Sequence, residues 1–270
     1  MRTHTDSRCV PPHTYQCLEP AYNLNLAAVA RHGGVGASIF AESAIYEQFK
    51  AAKERGMDTE SAFTFAYGET DRRYLEQARE QARTVVGRPA DLFAGTCALG
   101  TYVDFRTGMI HVGNLGDSRA VFGAASADGS RVDVIPLSWD HACEHAGERE
   151  RVCSEHPAER PYDVIINCGG DDGYPDDYRV KGVCSFTRSI GDFQMKDKEA
   201  AATYNSHTQG YKVVPRPGVV PAGQASINKP YIINEPTFAA QVSSCTTELT
   251  PCVVYCLGTV IWSVCCFLSV

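Results

Sequence analysis

The sequence predicts an α+β fold in one domain, with helices packed on antiparallel sheet. Three observations carry this. Apolar patterns follow one another in the order of a short run, two stretches of helical period, then short β-type runs separated by turn signals. Neither an internal repeat nor a low-complexity linker interrupts the 270 residues. The composition, 44% hydrophobic and 21% charged, is ordinary for a globular chain and excludes collagen, coiled coil and disordered tail.

Each element has a local reason. Residues 1–20 carry Pro, His, Cys and charges without period and read as irregular. Leu24 to Ala30 is a short apolar run of strand length, ending at Arg31-His32-Gly33-Gly34. Ala41, Ile45, Phe49 and Ala52 recur at helical spacing and predict a helix over 36–55, with Gly56 as its stop. Leu75, Ala78, Ala82 and Val85 predict a second helix over 71–86, with Thr70 or Asp71 as its cap. Strands are expected at Thr96–Phe105 and Met109–Val112, around the turn Arg106-Thr107-Gly108. Two more follow at Ala120–Phe122 and Val132–Ile135. A polar helix is expected over 141–155, and Pro- and Gly-rich residues 203–230 read as a long loop.

The net charge of −7 gives no electrostatic footprint for nucleic acid. The N-terminus lacks the apolar stretch of a secretory signal, and the 12 Cys include no CxxC pair. Free thiols in a reducing, intracellular and by default cytoplasmic setting are expected. Pro251 to Val270 is uncharged and of a length that could just span a bilayer. Its Val, Cys, Ser and Thr content and near lack of Leu favour strand over membrane helix, so a membrane partner is not expected; Cys265-Cys266 would be palmitoylation sites only if it met one. Asp171 to Asp177 reads as a solvated acidic turn rather than a Ca²⁺ loop. His141, Cys143, His145, Cys153 and His156 fit no common zinc spacing.

Three segments in order resemble signatures of the metal-dependent protein serine/threonine phosphatases, the PPM type or type 2C. They are Gly113-Asn114-Leu115-Gly116-Asp117-Ser118-Arg119-Ala120, Phe186-Thr187-Arg188-Ser189-Ile190-Gly191-Asp192-Phe193 with Lys196, and Ile232-Ile233-Asn234-Glu235-Pro236. Leu137-Ser138-Trp139-Asp140-His141 stands where the family has "L-S-x-D-H". Glu150-Arg151 with Glu155-His156-Pro157 looks most like the branch containing mitochondrial pyruvate-dehydrogenase phosphatases. The resemblance implies an αββα sandwich over residues 21–270, incomplete at its C-terminus, behind the irregular segment 1–20. It also implies Mg²⁺ or Mn²⁺ held by hard carboxylate oxygens, two ions about 4 Å apart that generate the nucleophile.

The same resemblance locates the ligand positions, and several are substituted. Where the family has the Asp of "D-G-H-G-G" this chain has Ala30, followed by Arg31, His32 and two Gly. Trp262 aligns the tail with the family's "D-G-L-W-D-V", putting Thr259 and Ser263 at its two Asp. Asp117 remains, by resemblance beside a weaker third metal, and Asp192 remains behind the ligands. A guanidinium at Arg31 about 4 Å from a divalent ion would cost roughly 8 kcal/mol at an effective dielectric of ~20. The usual two-metal centre is therefore not expected to bind its ions.

Two residues keep a possible role. His32 stands at the family's general acid, or is a structural turn histidine. Arg31 could clamp phosphate bidentately, or be a solvated surface residue. The expected function is a pseudophosphatase that binds phosphoproteins or regulates a protein partner. The alternatives are an active Ser/Thr phosphatase with an atypical site and an incomplete gene product.

Overall fold

The computed structural model describes residues 24–27, 31–32, 34–84, 93–104, 106–126, 130–169, 176–200, 230–242, 252–258 and 261–267. In chain order its elements are β1 (Leu24–Ala27), β2 (Arg31–His32), α1 (Gly36–Glu54), α2 (Thr59–Thr84), β3 (Gly95–Thr96), β4 (Ala98–Asp104), β5 (Met109–Leu115), β6 (Arg119–Ala125) and β7 (Val132–Pro136). Then come α3 (Ala146–Glu155), α4 (Pro161–Val164), β8 (Ile165–Asn167), β9 (Tyr178–Val180), β10 (Ile190–Gly191), a 3₁₀ turn at Phe193–Met195, β11 (Thr237–Val242), β12 (Cys252–Gly258) and β13 (Ile261–Phe267).

Two four-stranded antiparallel sheets, ordered β1-β4-β5-β11 and β13-β12-β6-β7, form the body. Side chains alternate across the first sheet, so it serves two cores. Ala98 and Leu115 face the α1–α2 pair together with Ile45, Phe49, Phe63 and Tyr67. Leu99, Val103, Ile110 and Val112 face the second sheet and meet Ala120, Phe122 and Leu137. A third core joins α3, α4, β8 and β9 to Phe186, Tyr231 and Ile232. This is the α+β architecture the sequence predicts.

Helix α1 matches its expected span, and Ala41, Ile45, Phe49 and Ala52 are all buried. Gly56 ends it in the left-handed region at φ +81. Helix α2 corrects the expectation of 71–86, for it begins at Thr59. Its cap is Asp58, whose Oδ1 accepts the Ser61 N–H at 2.9 Å. Thr70 and Asp71 lie inside the helix, both buried, and cap nothing. Helix α3 starts at Ala146 rather than 141 because Ala142 is held extended, in a bridge to Phe186.

A pair of glycines lets α2 settle on the sheet. Gly100 and Gly113 face each other across β4 and β5. A β carbon at Gly100 would lie 2.4 Å from the Phe63 ring, and one at Gly113 2.8 Å from it. Tyr67 then donates its hydroxyl to the Gly113 carbonyl at 2.9 Å. Gly113→Ala is expected to destabilise by about 1–3 kcal/mol through overpacking. A urea midpoint equal to wild type would show that Phe63 has room to move.

The tail forms strands, as its composition favours: β12 and β13 pair antiparallel, and β12 joins the sheet beside β6. No helix among the described residues is long and apolar enough to cross a membrane. The predicted irregular segment 1–20, the loop at 203–230 except Pro230, and most of the acidic turn at 171–177 lie outside the described residues.

Candidate functional site

A three-stranded sheet ordered β10-β3-β2 frames the site. Arg31 sits opposite Thr96 and His32 opposite Gly95. On the other side of β3, Ile190 faces Thr96 and Gly191 faces Gly95. Arg31, Thr96 and Ile190 therefore make one row across the sheet, and His32, Gly95 and Gly191 the next.

Asp192 follows directly. It is buried, with its backbone in the left-handed region at φ +53, a conformation in which Asp is enriched among non-Gly residues. Its N–H donates to the Ala94 carbonyl at 3.0 Å. Its Oδ2 accepts the Ser189 hydroxyl at 2.6 Å.

Asp117 arrives from the turn between β5 and β6. Gly116 before it has φ +116, and a β carbon there would lie 2.2 Å from the Cys97 sulfur. Cys97 follows β3 and donates its thiol to Asp117 Oδ1 at 3.1 Å. Burial pushes that thiol well above its ordinary range, and the charges of Asp117 and then Asp192 push the same way. Cys97 stays a protonated donor. One sulfur that feels both carboxylates marks where the two signature turns converge, beside the strand bearing Arg31 and His32.

The Ser138–His141 segment grips the Asp117 turn from outside. His141 N–H donates to the Gly116 carbonyl at 2.9 Å, and Gly116 N–H donates back to His141 Nδ1 at 3.0 Å. The remaining proton is thus on Nε2, which meets Thr237 Oγ1 at 3.0 Å. Burial first, then the Arg188 charge, pushes His141 down to about 3, so the ring is neutral at physiological pH. Ser138 Oγ accepts the Ala120 N–H at 2.7 Å. Arg119 binds Asp140 with two bonds, at 3.1 and 2.7 Å.

The second signature is anchored by Glu148 on α3. Arg188 donates to Glu148 Oε1 at 2.5 Å, Arg151 to Oε2 at 3.1 Å, and the Thr187 hydroxyl also donates to Oε2. Burial would push this carboxyl up, but those donors outweigh it and hold Glu148 at about 2.

The structure thus brings Arg31, His32, Asp117 and Asp192 into one neighbourhood. Ser263 lies on β13 opposite Cys256. Leu257 of β12 pairs with Arg119, so the Gly258 end of β12 lies beside the turn that carries Asp117. Ala30 and Thr259 lie outside the described residues. The zinc reading finds no support among the described residues: His141 is spent on Gly116 and Thr237, and His156 stacks on Tyr231 at 4.1 Å. Asp140, Glu144 and His145 offer ligand atoms within 4.8 Å of one another, with Asp140 already paired to Arg119. Cys97, Cys143, Cys153, Cys168 and Cys184 are free thiols.

Sequence reasoning gives Cys97 and Glu148 no role here and offers Asp71, with Thr70 as the alternative, only as a helix cap. In the structure Asp71 accepts the Gly191 N–H at 2.7 Å and so holds the second signature directly. Its signal was its place on the buried stripe of α2, four residues after Tyr67 and three before Tyr74, both buried. A carboxylate there requires partners.

Comparison with known proteins agrees with this geometry. The profile of the family described as protein phosphatase 2C matches residues 16–246. The chain is 32% identical over 173 residues to "Probable protein phosphatase 2C 78" of Oryza sativa subsp. japonica, covering 63% of this chain and 40% of that protein. It is 31% identical over 169 residues to "Probable protein phosphatase 2C 67" of Arabidopsis thaliana, covering 62% and 42%. The chain therefore spans about two-fifths of the length of these relatives. Among solved structures, a C. elegans sex determining protein superposes with a TM-score of 0.54 at 17% identity, over 87% of this chain and 43% of that one. The serine-threonine phosphatase 2C from Toxoplasma gondii does so with a TM-score of 0.54 at 12% identity, over 89% and 69%. At those identities the likeness is one of fold. With three signature segments folded against one another and a family match over most of its length, this chain belongs to the protein phosphatase 2C family.

Proposed function

We propose that this chain is a pseudophosphatase: a protein phosphatase 2C homologue that binds phosphoserine or phosphothreonine proteins, or regulates a protein partner, without the usual metal chemistry. The observation that supports this most is the donor set. Mg²⁺ and Mn²⁺ require several hard anionic oxygens in octahedral array. At the positions that resemble the family's ligands stand Ala30, with no donor, and the neutral hydroxyls of Thr259 and Ser263. Among the described residues, Asp117, Asp192 and Asp71 bring carboxylates near the Arg31–His32 strand, and all three already have hydrogen-bond partners. These residues do not fit a two-cation centre. By residue type Arg31 and His32 suit anion capture, since a guanidinium can form two parallel bonds to a phosphate and an imidazole can offer a ring N–H. The Glu150–Pro157 spacing further supports the pyruvate-dehydrogenase-phosphatase-like branch.

Calorimetry with Mn²⁺ is expected to give no two-site binding, and p-nitrophenyl phosphate no Mn²⁺-dependent turnover. A phosphothreonine peptide is expected to bind, and Arg31→Ala to weaken it about tenfold, the loss of one charge-assisted contact. The opposing reading, an active metal-dependent Ser/Thr phosphatase, draws on the convergence of Asp117 and Asp192. Two-site Mn²⁺ binding with turnover would establish it and end the pseudophosphatase reading.

A further inference from the structure

We infer that Asp71, through its buried pair with Lys196, is a positioning residue that fixes the Arg31–His32 strand in the cleft, an inference that rests on the phosphate-binding reading above.

The carboxylate of Asp71 lies inside α2 and gathers donors from three separate places. Gly191 N–H reaches Oδ1 at 2.7 Å. Lys196 Nζ reaches both oxygens at 3.0 Å. Asn234 Nδ2 reaches Oδ2 at 3.0 Å. Lys196 spends its remaining reach on the Ser189 carbonyl at 2.7 Å. The ion pair is shut off from water, each side chain 9% exposed. Both charges are therefore fully used, and they are used on the second and third signature segments rather than on the helix.

The consequence passes along the small sheet. Strands β10 and β2 are two residues long and flank a β3 of the same length. A ladder that short has few bonds of its own, so its placement must come from outside. Asp71 supplies one such restraint: it holds Gly191, Gly191 faces Gly95, and Gly95 faces His32. Helix α2, 26 residues long and packed in the main core, is the rigid body behind it. A buried ion pair is a poor source of stability compared with an apolar pair of the same volume. Its use here is geometric: a charged acceptor selects one position for three donors, which apolar contact would not.

The experiment compares the 270-residue wild type, Asp71→Ala and the neutral double variant Asp71→Asn/Lys196→Gln. Two readouts are taken: affinity for a phosphothreonine peptide, and amide hydrogen exchange over residues 93–99 and 187–197 with residues 41–52 as an internal reference. Asp71→Ala is expected to weaken the peptide about tenfold and to speed exchange about tenfold in both test regions but not in the reference. The double variant, which removes the ion pair without stranding a charge, is expected to shift both readouts in the same direction by more than about threefold, and a return of both to wild-type values would overturn the role of the pair. Should Asp71→Ala not fold, Asp71→Asn alone moves both readouts in the same direction. Wild-type affinity and wild-type exchange in either single variant would overturn the inference. A wild type that binds no phosphopeptide, with Asp71→Ala still speeding exchange, leaves the restraint standing and removes the phosphate reading instead.

Discussion

Glu148→Ala is expected to destabilise the protein by about 3–5 kcal/mol, because it strands buried charge. Arg188 is mostly buried, its side chain 12% exposed, and Arg151 is 20% exposed. Removing Glu148 leaves Arg188 with the Glu235 carbonyl at 3.0 Å and Arg151 with Glu155 at 3.0 Å. The Thr187 hydroxyl loses its acceptor as well. The pH dependence follows from the same contact. Glu148 is held at about 2, below its ordinary 4.5. Its folded-state pKa is depressed, so the unfolded chain binds the proton first. The stability it gives is complete above pH 4.5 and is lost as pH falls from there towards 2, about 3 kcal/mol in all. His141 adds an earlier decline. Its pKa is pushed from 6.5 down to about 3, so stability begins to fall below pH 6.5 as the unfolded chain takes up the proton. Urea unfolding at several pH values is expected to show stability declining below 6.5 and declining faster below 4.5. Glu148→Gln is expected to make the faster part shallower without abolishing it, because the Glu159 carboxyl, which burial alone would push up, is also held below its ordinary range by Lys181 and Tyr231. A pH profile in Glu148→Gln that matches wild type below 4.5 would show that the network is not stabilising.

Replacing Gly191 by Ala is expected to cost about 3 kcal/mol or more, from a left-handed conformation that alanine tolerates poorly and from overpacking against backbone. Gly191 has φ +82. A β carbon there would lie 2.2 Å from the Ala94 carbonyl oxygen and 3.0 Å from Gly95 Cα. Those atoms belong to β3 and the residue before it, so no side chain can swing away to make room. The strain must be relieved by moving β10 away from β3, which also pulls Gly191 N–H from Asp71. Phosphopeptide binding should therefore fall together with stability. A denaturation midpoint within about 0.5 kcal/mol of wild type would mean the two strands are not in the close contact described.

Local chemistry made much of this protein legible in advance. The α1 stripe is a matter of period, and the turn at Gly108 is a matter of glycine's freedom at φ +67. The β4–β5 and β6–β7 hairpins follow from alternating residues between turn signals. The tail is strand because its residues are β-branched and short rather than leucine-rich. The signature segments were legible too, since each needs particular residue types at fixed offsets.

Helix α2 shows where local reading stops. Asp58 and Asp71 both stand before apolar-periodic residues, and either can cap a helix. Asp71 is interior because Gly191, Lys196 and Asn234, 120 or more residues away, take its carboxylate. Glu148 and Cys97 carry no local mark at all; their partners Arg188 and Asp117 lie 40 and 20 residues distant. The sequence alone determined the family, helix α1, the two hairpins and the strand character of the tail, because those are properties of single residues and short spacings. Only the tertiary structure decided which buried polar groups hold the cleft together. A charge on an apolar stripe announces that it needs a partner, and folding is what selects that partner from everything distant in the chain.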